Sequence, residues 1–363
     1  MKFLPRGLAV LIVFLPAAIV LQWMHRPPPQ VFICSALSII PLAGWMGQAT
    51  EQLAERYGVG IGGLLNATFG NAAELILGAL ALRRGLIPLV KASITGSIIG
   101  NLLLVTGVSL VAGGLRHKRQ LFNRTAAGLG STLMTLSVAG MLVPAFFHEI
   151  VHAQRLQGQL SALQQTSIEK NLSVGISVLL FAVYALNLLF SLAGERDLLH
   201  DQPERQRMKS PNAARSLARL AGATLGVAVA SELLVGAVEA TAQSWGMSDL
   251  FIGVIIVAIV GNAAEHSTAV LTALKDKLDL SMAIATGSSL QIALFVAPLL
   301  VFLGVLFKKP MDLRFSAFEI LSMALAVGLG HLVAQDGESN WLEGVLLLAL
   351  YVMLGFAFYF LPA

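Results

Sequence analysis

Two copies of Gly-Asn-Ala-Ala-Glu, at Gly70–Glu74 and Gly261–Glu265, each set one carboxylate inside a long apolar stretch. The duplication continues in register. Thr95-Gly96-Ser97 recurs as Thr286-Gly287-Ser288 at the same offset of 191 residues, and Leu80/Leu271, Leu89/Leu280 and Ala92/Ala283 bring the identities to eleven between Gly70 and Ser97. Ionisable side chains at membrane depth are costly and point to function. A Gly four residues before each acid weakens the helix and exposes backbone carbonyls that can line a polar cavity. Carboxylates, amide oxygens and carbonyls are the ligands a hard divalent cation such as Ca2+ takes in sets of six to eight. No His/Cys cluster offers the softer set that zinc or copper prefers. Two close buried carboxylates cannot both stay charged without a cation, because burial and like charge favour the protonated form. Glu74 and Glu265 are therefore expected to bind either one divalent cation or protons, in competition for the same oxygens.

Polar residues flank both acids. Asn71 and Asn262 supply amide oxygens beside them. Ser97 and Asn101 share a helix face at i, i+4, and Ser288 and Gln291 at i, i+3. Asn101 and Gln291 miss strict equivalence by one position. The two serines fit either a ligand role or bonding to their own helix. His266 follows Glu265 directly and fits either a tuning neighbour or a packed histidine. A second acidic layer is read from Glu51 and Glu239, with Glu55 and Glu232 a turn or two away; it would draw cations toward the centre or sit at the solvated interface. Glu319 has no duplicate and is read as a structural hydrogen-bonder. His148-Glu149-Ile150-Val151-His152 matches the H-E-x-x-H zinc-protease pattern. It falls where a helix is expected to leave the membrane after an interruption at Pro144, without a third ligand or a duplicate, so a membrane metalloprotease is the remote alternative.

The elements that position these residues are apolar helices. Hydrophobic residues make up 56% of the 363 and charged residues 12%, about half the charge of a soluble domain. The net charge of +4 lies largely in short loops, where it orients helices and implies no nucleic-acid partner. Cys34 is the one cysteine, so neither an intrachain disulfide nor a thiolate metal site forms. The apolar run from Leu8 to Leu21 is read as a retained first helix and not a cleaved leader. Eleven segments can span about 30 Å of hydrocarbon: near 7–24, 31–55, 58–82, 86–113, 126–147, 172–193, 213–243, 250–274, 280–306, 315–334 and 341–361. The two acid-bearing helices are five crossings apart and so run in opposite directions, which makes the halves inverted repeats. The organisation expected is a first helix in 1–29, repeat 1 in 30–193, a hydrophilic linker at 194–212 and repeat 2 in 213–363. Lys and Arg are more frequent in the loops on the N-terminal side, which favours a cytoplasmic N-terminus. The linker mixes both charges and reads as a solvated connector or a regulatory helix.

On Leu65–Glu74, Gly96-Ser97 with Gly100-Asn101, Gly261–His266, Gly287–Gln291 and Pro144–His148, the chain closely resembles the calcium (cation)/proton exchanger family of the cation/Ca2+ antiporter superfamily. The resemblance runs from Pro41-Leu42-Ala43 to the last helix. It implies an all-α, eleven-helix protein with an inverted five-helix repeat that exports Ca2+ from the cytosol against protons, without a cofactor. It carries the central acids over to Glu74 and Glu265 and the flanking polar positions to Asn101, Ser97, Ser288 and Gln291, and it gives the Pro144–His148 stretch a family explanation. Sodium-coupled relatives carry a proline before the site acid. Here Ala73 and Ala264 stand there, which favours protons over sodium; a sodium-coupled or Mn2+-preferring antiporter is the nearer alternative. The acidic helix that family members often carry between repeats is replaced by a charge-balanced linker, which leaves regulation by the linker without support. Short loops suit a prokaryotic plasma membrane better than an organellar one. The bilayer, Ca2+ (or Mn2+) and protons are the partners, and a homo-oligomer is compatible with the sequence.

Overall fold

The computed structural model describes residues 6–117, 119–192 and 213–361, so the expected linker at 194–212 lies outside the described residues. The fold is all-α apart from one short strand pair. Residues 6–23 form α1, with a tight turn at Val10–Val13. It is followed by α2 (Pro28–Phe69), α3 (Ala72–Arg83), α4 (Ile87–Gly114), α5 (Arg124–Leu156), α6 (Ala162–Leu192) and α7 (Ala213–Trp245). The rest comprises α8 (Asp249–Gly261), α9 (Ala263–Ala273), α10 (Leu278–Leu306), α11 (Ala317–Val333) and α12 (Trp341–Phe360). Among the described residues, seven helices are long and apolar enough to cross a bilayer. An eighth span arises if α8 and α9, bent by 61°, count as one.

Helix boundaries depart from expectation where apolarity and helicity part company. A turn was expected near 55–58, yet α2 runs unbroken for 42 residues, about 63 Å at the usual rise. The segment holds no proline after Pro41, and an unbroken helix keeps its own backbone bonds satisfied where water is scarce. Pro144 does not interrupt α5, which continues to Leu156 and carries the whole H-E-x-x-H stretch on one helix. A proline inside a membrane helix loses one bond that neighbouring groups can make good. Likewise α6 begins at Ala162, ahead of its apolar part, because helix formers such as Ala162, Leu163, Gln164 and Gln165 extend it into the polar region.

Two helices form the interior. Most of α4 and α10 is buried, whereas α5, α6 and α12 leave most of their apolar surface outward, as lipid-facing helices do. The long helices α2 and α7 pack against each other along much of their length. One backbone contact fixes α4 against α8: a Cβ at Gly96 would lie 2.0 Å from the Val254 carbonyl oxygen, and one at Gly253 would lie 2.5 Å from the Ala92 methyl. Only glycine permits that approach. At one end of the helices, β1 (Gln120–Leu121) pairs antiparallel with β2 (Glu338–Ser339). Arg119 and Glu338 add an ion pair beside it.

Candidate functional site

Each acid sits on the third residue of a helix that starts at a break. Asn71 precedes α3 with φ −110° and ψ 31°, and Asn262 precedes α9 with φ −91° and ψ 4°; Glu74 and Glu265 follow in the first turns. Each acid therefore lies at the positive end of its own helix. The C-terminal turns of α2 and α8, which stop at the same breaks, bring the carbonyls that a helix end leaves unpaired. Further local opening surrounds the breaks. One turn of π-helix lies in α8 (Ile252–Val257), one in α4 (Gly100–Val105) and one in α10 (Ile292–Val296), the last two directly at or after Asn101 and Gln291. Such turns recur at functional sites because they free backbone groups and re-aim side chains.

The amides that precede the acids do not cap their own helices; they reach across to the other half. Asn71 donates from Nδ2 to Gln291 Oε1, and its Oδ1 accepts from the Ser288 hydroxyl at 3.1 Å. Asn262 donates from Nδ2 to the Ser97 hydroxyl at 2.9 Å and to the Ala258 carbonyl at 2.9 Å. Asn101 donates from Nδ2 to Ser288 Oγ at 3.1 Å and to Asn262 Oδ1 at 3.5 Å. Its Oδ1 lies 3.1 Å from His266 Nε2, which places the histidine in the same network as a donor. Thus α3, α4, α8, α9 and α10 meet in one chain of hydrogen bonds running Gln291–Asn71–Ser288–Asn101–Asn262–Ser97. All but Gln291 are buried.

Both carboxylates lie within this shell. Glu74 is buried and rests against Gly261, the first residue of the other motif: a Cβ there would meet Glu74 Oε1 at 3.4 Å. Glu265 Oε2 is buried without a hydrogen-bond donor, and an oxygen in that condition is satisfied by a proton or a cation. The set is oxygen-rich, carries a charge of −2 when both acids are ionised, and lacks thiolate, so it suits a hard divalent cation. Among the described residues, no group of three or more His, Cys, Asp or Glu is arranged to hold a metal.

Other expected residues fall elsewhere. Glu232 is tied to Arg84 at 2.6 Å and Arg83 at 3.6 Å at the end of α3, so it serves an ion pair and not an open acidic layer. Glu51 and Glu239 are exposed on α2 and α7, outside the buried network. Glu319 is buried and closes a capping box with Ser316 while accepting from Thr95 Oγ1 at 3.2 Å. His148 Nδ1 lies 2.8 Å from Glu169 Oε1 and 2.7 Å from an Arg314 guanidinium nitrogen, and its ring stacks on His152 at 5.5 Å. Arg314 thus sits against the ring nitrogens that a metal ligand would offer. Sequence reasoning missed the Thr95–Glu319 link and the three π turns, for which no local signal exists. Ser93 lines a small cavity beside Glu74.

The chain is similar to known exchangers over almost its whole length. It is 46% identical to the Ca(2+)/H(+) antiporter of Synechocystis, covering 97% of both chains. It is 42% identical to the Ca(2+)/H(+) antiporter ChaA of Bacillus subtilis, covering 95% of this chain and 96% of that one. The solved structure of native YfkE superposes with a TM-score of 0.83 at 40% identity, covering 98% of this chain and all of YfkE. A structure of the H+/Ca2+ exchanger CAX, 12% identical with a TM-score of 0.67, shares the fold. The sodium/calcium exchanger protein family matches residues 28–193 and 215–360, on both sides of the undescribed linker, and the chain belongs to that family.

Proposed function

We propose that this protein is a secondary antiporter that exchanges Ca2+ for protons across a membrane, with both substrates competing for Glu74 and Glu265. It is a transporter, not an enzyme, and it needs no cofactor. The observation that carries the reading is the crossed pairing of the two motifs: the Asn before each acid is bonded to the hydroxyl of the opposite Gly-Ser, so both acids share one shell. Relatives that carry Ca2+/H+ antiporter names over nearly the full length support the same substrates.

In this reading Asn71, Asn262, Asn101, Ser97, Ser288 and Gln291 exchange their mutual hydrogen bonds for the cation when the acids are ionised, and restore them when the acids are protonated. One Ca2+ or two protons neutralise the same −2 charge, so the site crosses the bilayer neutral with either load, and desolvation opposes a bare site. The finer architecture we infer is eleven spans, with 30–193 and 213–363 as repeats of opposite sense, a first helix in 1–29 and a connector at 194–212. The interrupted pairs α2/α3 and α8/α9 then meet near the midplane. The N-terminus is cytoplasmic by the distribution of Lys and Arg, the membrane is a prokaryotic plasma membrane, and Ca2+ leaves the cytosol. The acids Glu51 and Glu239 flank the entrance at most as surface charge.

The test is Ca2+ uptake by proteoliposomes. An imposed pH gradient should drive accumulation and an equal sodium gradient should not. Uptake that follows sodium and ignores pH would overturn the choice of counter-ion, and Mn2+ competition would rank the divalent substrates.

A further inference from the structure

Helix α4, which carries Ser97 and Asn101, is held from three sides. Lys91 and Thr95 share one face at i, i+4, and Ser97 lies two residues past Thr95, about 200° further round the helix. The front face, Ser97 and Asn101, belongs to the polar shell of the acids. Between the faces stands Gly96, against the Val254 carbonyl of α8. The rear face is tied to the stretch that leads into α11. Lys91 Nζ bonds Asp312 and, at 2.5 Å, the Arg314 carbonyl. One turn on, Thr95 Oγ1 donates to Glu319 Oε1 at 3.2 Å, and both of these residues are buried.

The stretch behind α4 is itself firmly seated. Met311, Leu313 and Phe315 are buried. A Cβ at Gly304 of α10 would meet the Lys309 carbonyl oxygen at 2.8 Å and the Met311 amide at 2.9 Å. The Leu313 amide donates to Ser173 Oγ of α6 at 3.2 Å, and Arg314 reaches His148 of α5, so the H-E-x-x-H histidine anchors this segment. Glu319 is fixed at its other oxygen by the Ser316 amide at 2.9 Å. The other half lacks such bracing. At the offset of 191, Lys91 becomes Met282, Asp312 becomes Leu121 and Glu319 becomes Gly128. Thr286 keeps the residue type of Thr95, but its methyl group approaches Gly130 of α5, where a Cβ would lie 2.8 Å away. Asp279, in the first turn of α10, accepts from the Asn123 amide, seven residues before Thr286.

We infer that Lys91, Asp312, Thr95 and Glu319 are positioning residues for the exchange: they fix the rotation of α4 and so the placement of Ser97 and Asn101. The inference rests on the exchange reading above. In the closed shell Ser97 and Asn101 are held from the front by Asn262 and Ser288. Those bonds are given up when a cation is loaded, and the ties behind the helix then keep its front in place. The tolerance is small. A side-chain oxygen about 5 Å from the helix axis moves about 1 Å for each 10° of rotation, whereas Ca2+ accepts its oxygens over a range of about 0.3 Å. None of the four residues is a cation ligand; they act through Ser97 and Asn101.

The measurement is equilibrium Ca2+ binding to the purified protein at alkaline pH, with the melting temperature of the Ca2+-free protein beside it. Thr95→Val keeps the shape and removes the hydroxyl. It should raise the apparent Kd about tenfold, the low end of what losing a supporting partner of a metal ligand costs. Thr95→Ser, which keeps the hydroxyl, should bind as the unmodified protein does. Lys91→Met, which installs the residue type that α10 carries, should shift the Kd in the same direction, and it carries the test if Thr95→Val does not fold. Thr286→Val, which keeps the methyl group against Gly130, should leave the Kd unchanged. Unchanged affinity in folded Thr95→Val or Lys91→Met, with only the melting temperature lowered, would make the ties purely structural and overturn the inference. Equal weakening by Thr286→Val, or by Thr95→Ser, would also overturn it, since neither change removes a tie behind α4. If acid does not displace Ca2+ from the unmodified protein, the exchange reading fails and takes this inference with it. If acid does displace it and the variants bind as the unmodified protein does, this inference alone falls.

Discussion

Asn71 and Asn262 stand where a helix-capping side chain turns back onto its own first amides, and neither does so. Each spends its amide on the opposite half, so each carboxylate has a neighbour that answers to the other motif. The two acids and the six polar residues around them were legible in the sequence, because duplication and burial single them out. Their pairing was not, since a crossed bond between Asn262 and Ser97 depends on how the halves meet. Local context could not show that Glu232 belongs to Arg84 or that Glu319 caps α11. The account makes a graded prediction here. Glu74→Gln and Glu265→Gln should each reduce Ca2+ exchange in proteoliposomes by more than about a hundredfold, whereas Asn71→Ala should cost about 10–100-fold, as loss of a supporting partner of a metal ligand does. Near-normal exchange in either Gln variant would remove that carboxylate from the site.

Among the elements, α4 and α10 carry the matched Thr-Gly-Ser triplets, yet their glycines face different constraints. Gly96 meets the Val254 carbonyl, whereas a Cβ at Gly287 has nothing within 4 Å. Repeat logic alone treats the two positions as one, and only the packing of α8 on α4 separates them. Gly96→Ala should therefore lower thermal stability in detergent by about 1–3 kcal/mol, the usual cost of overpacking, and Gly287→Ala should leave the melting temperature nearly unchanged. Equal shifts would contradict the close α4–α8 contact. Helix existence was legible from apolar length, but helix ends were not. In α2 the backbone stays helical across the polar stretch between two apolar segments, and in α5 past the end of its apolar run, because satisfied backbone bonds decide where a helix stops and hydropathy does not.

On the scale of the whole molecule, an oxygen-lined shell between two duplicated halves holds two carboxylates, whose −2 charge when ionised one divalent cation or two protons would cancel. In the proposed exchange this equivalence removes the need for a separate proton site, because loading one substrate unloads the other. Two buried acids at matched register make this reading legible in the sequence, since such pairs have few other uses. The most direct test is equilibrium Ca2+ binding to detergent-solubilised protein across a pH series. Acidification should raise the apparent dissociation constant without changing the number of sites, and the slope should approach two protons per Ca2+ below both apparent pKa values of the pair. Affinity that stayed flat across the acidic range in which transport changes would contradict a shared site.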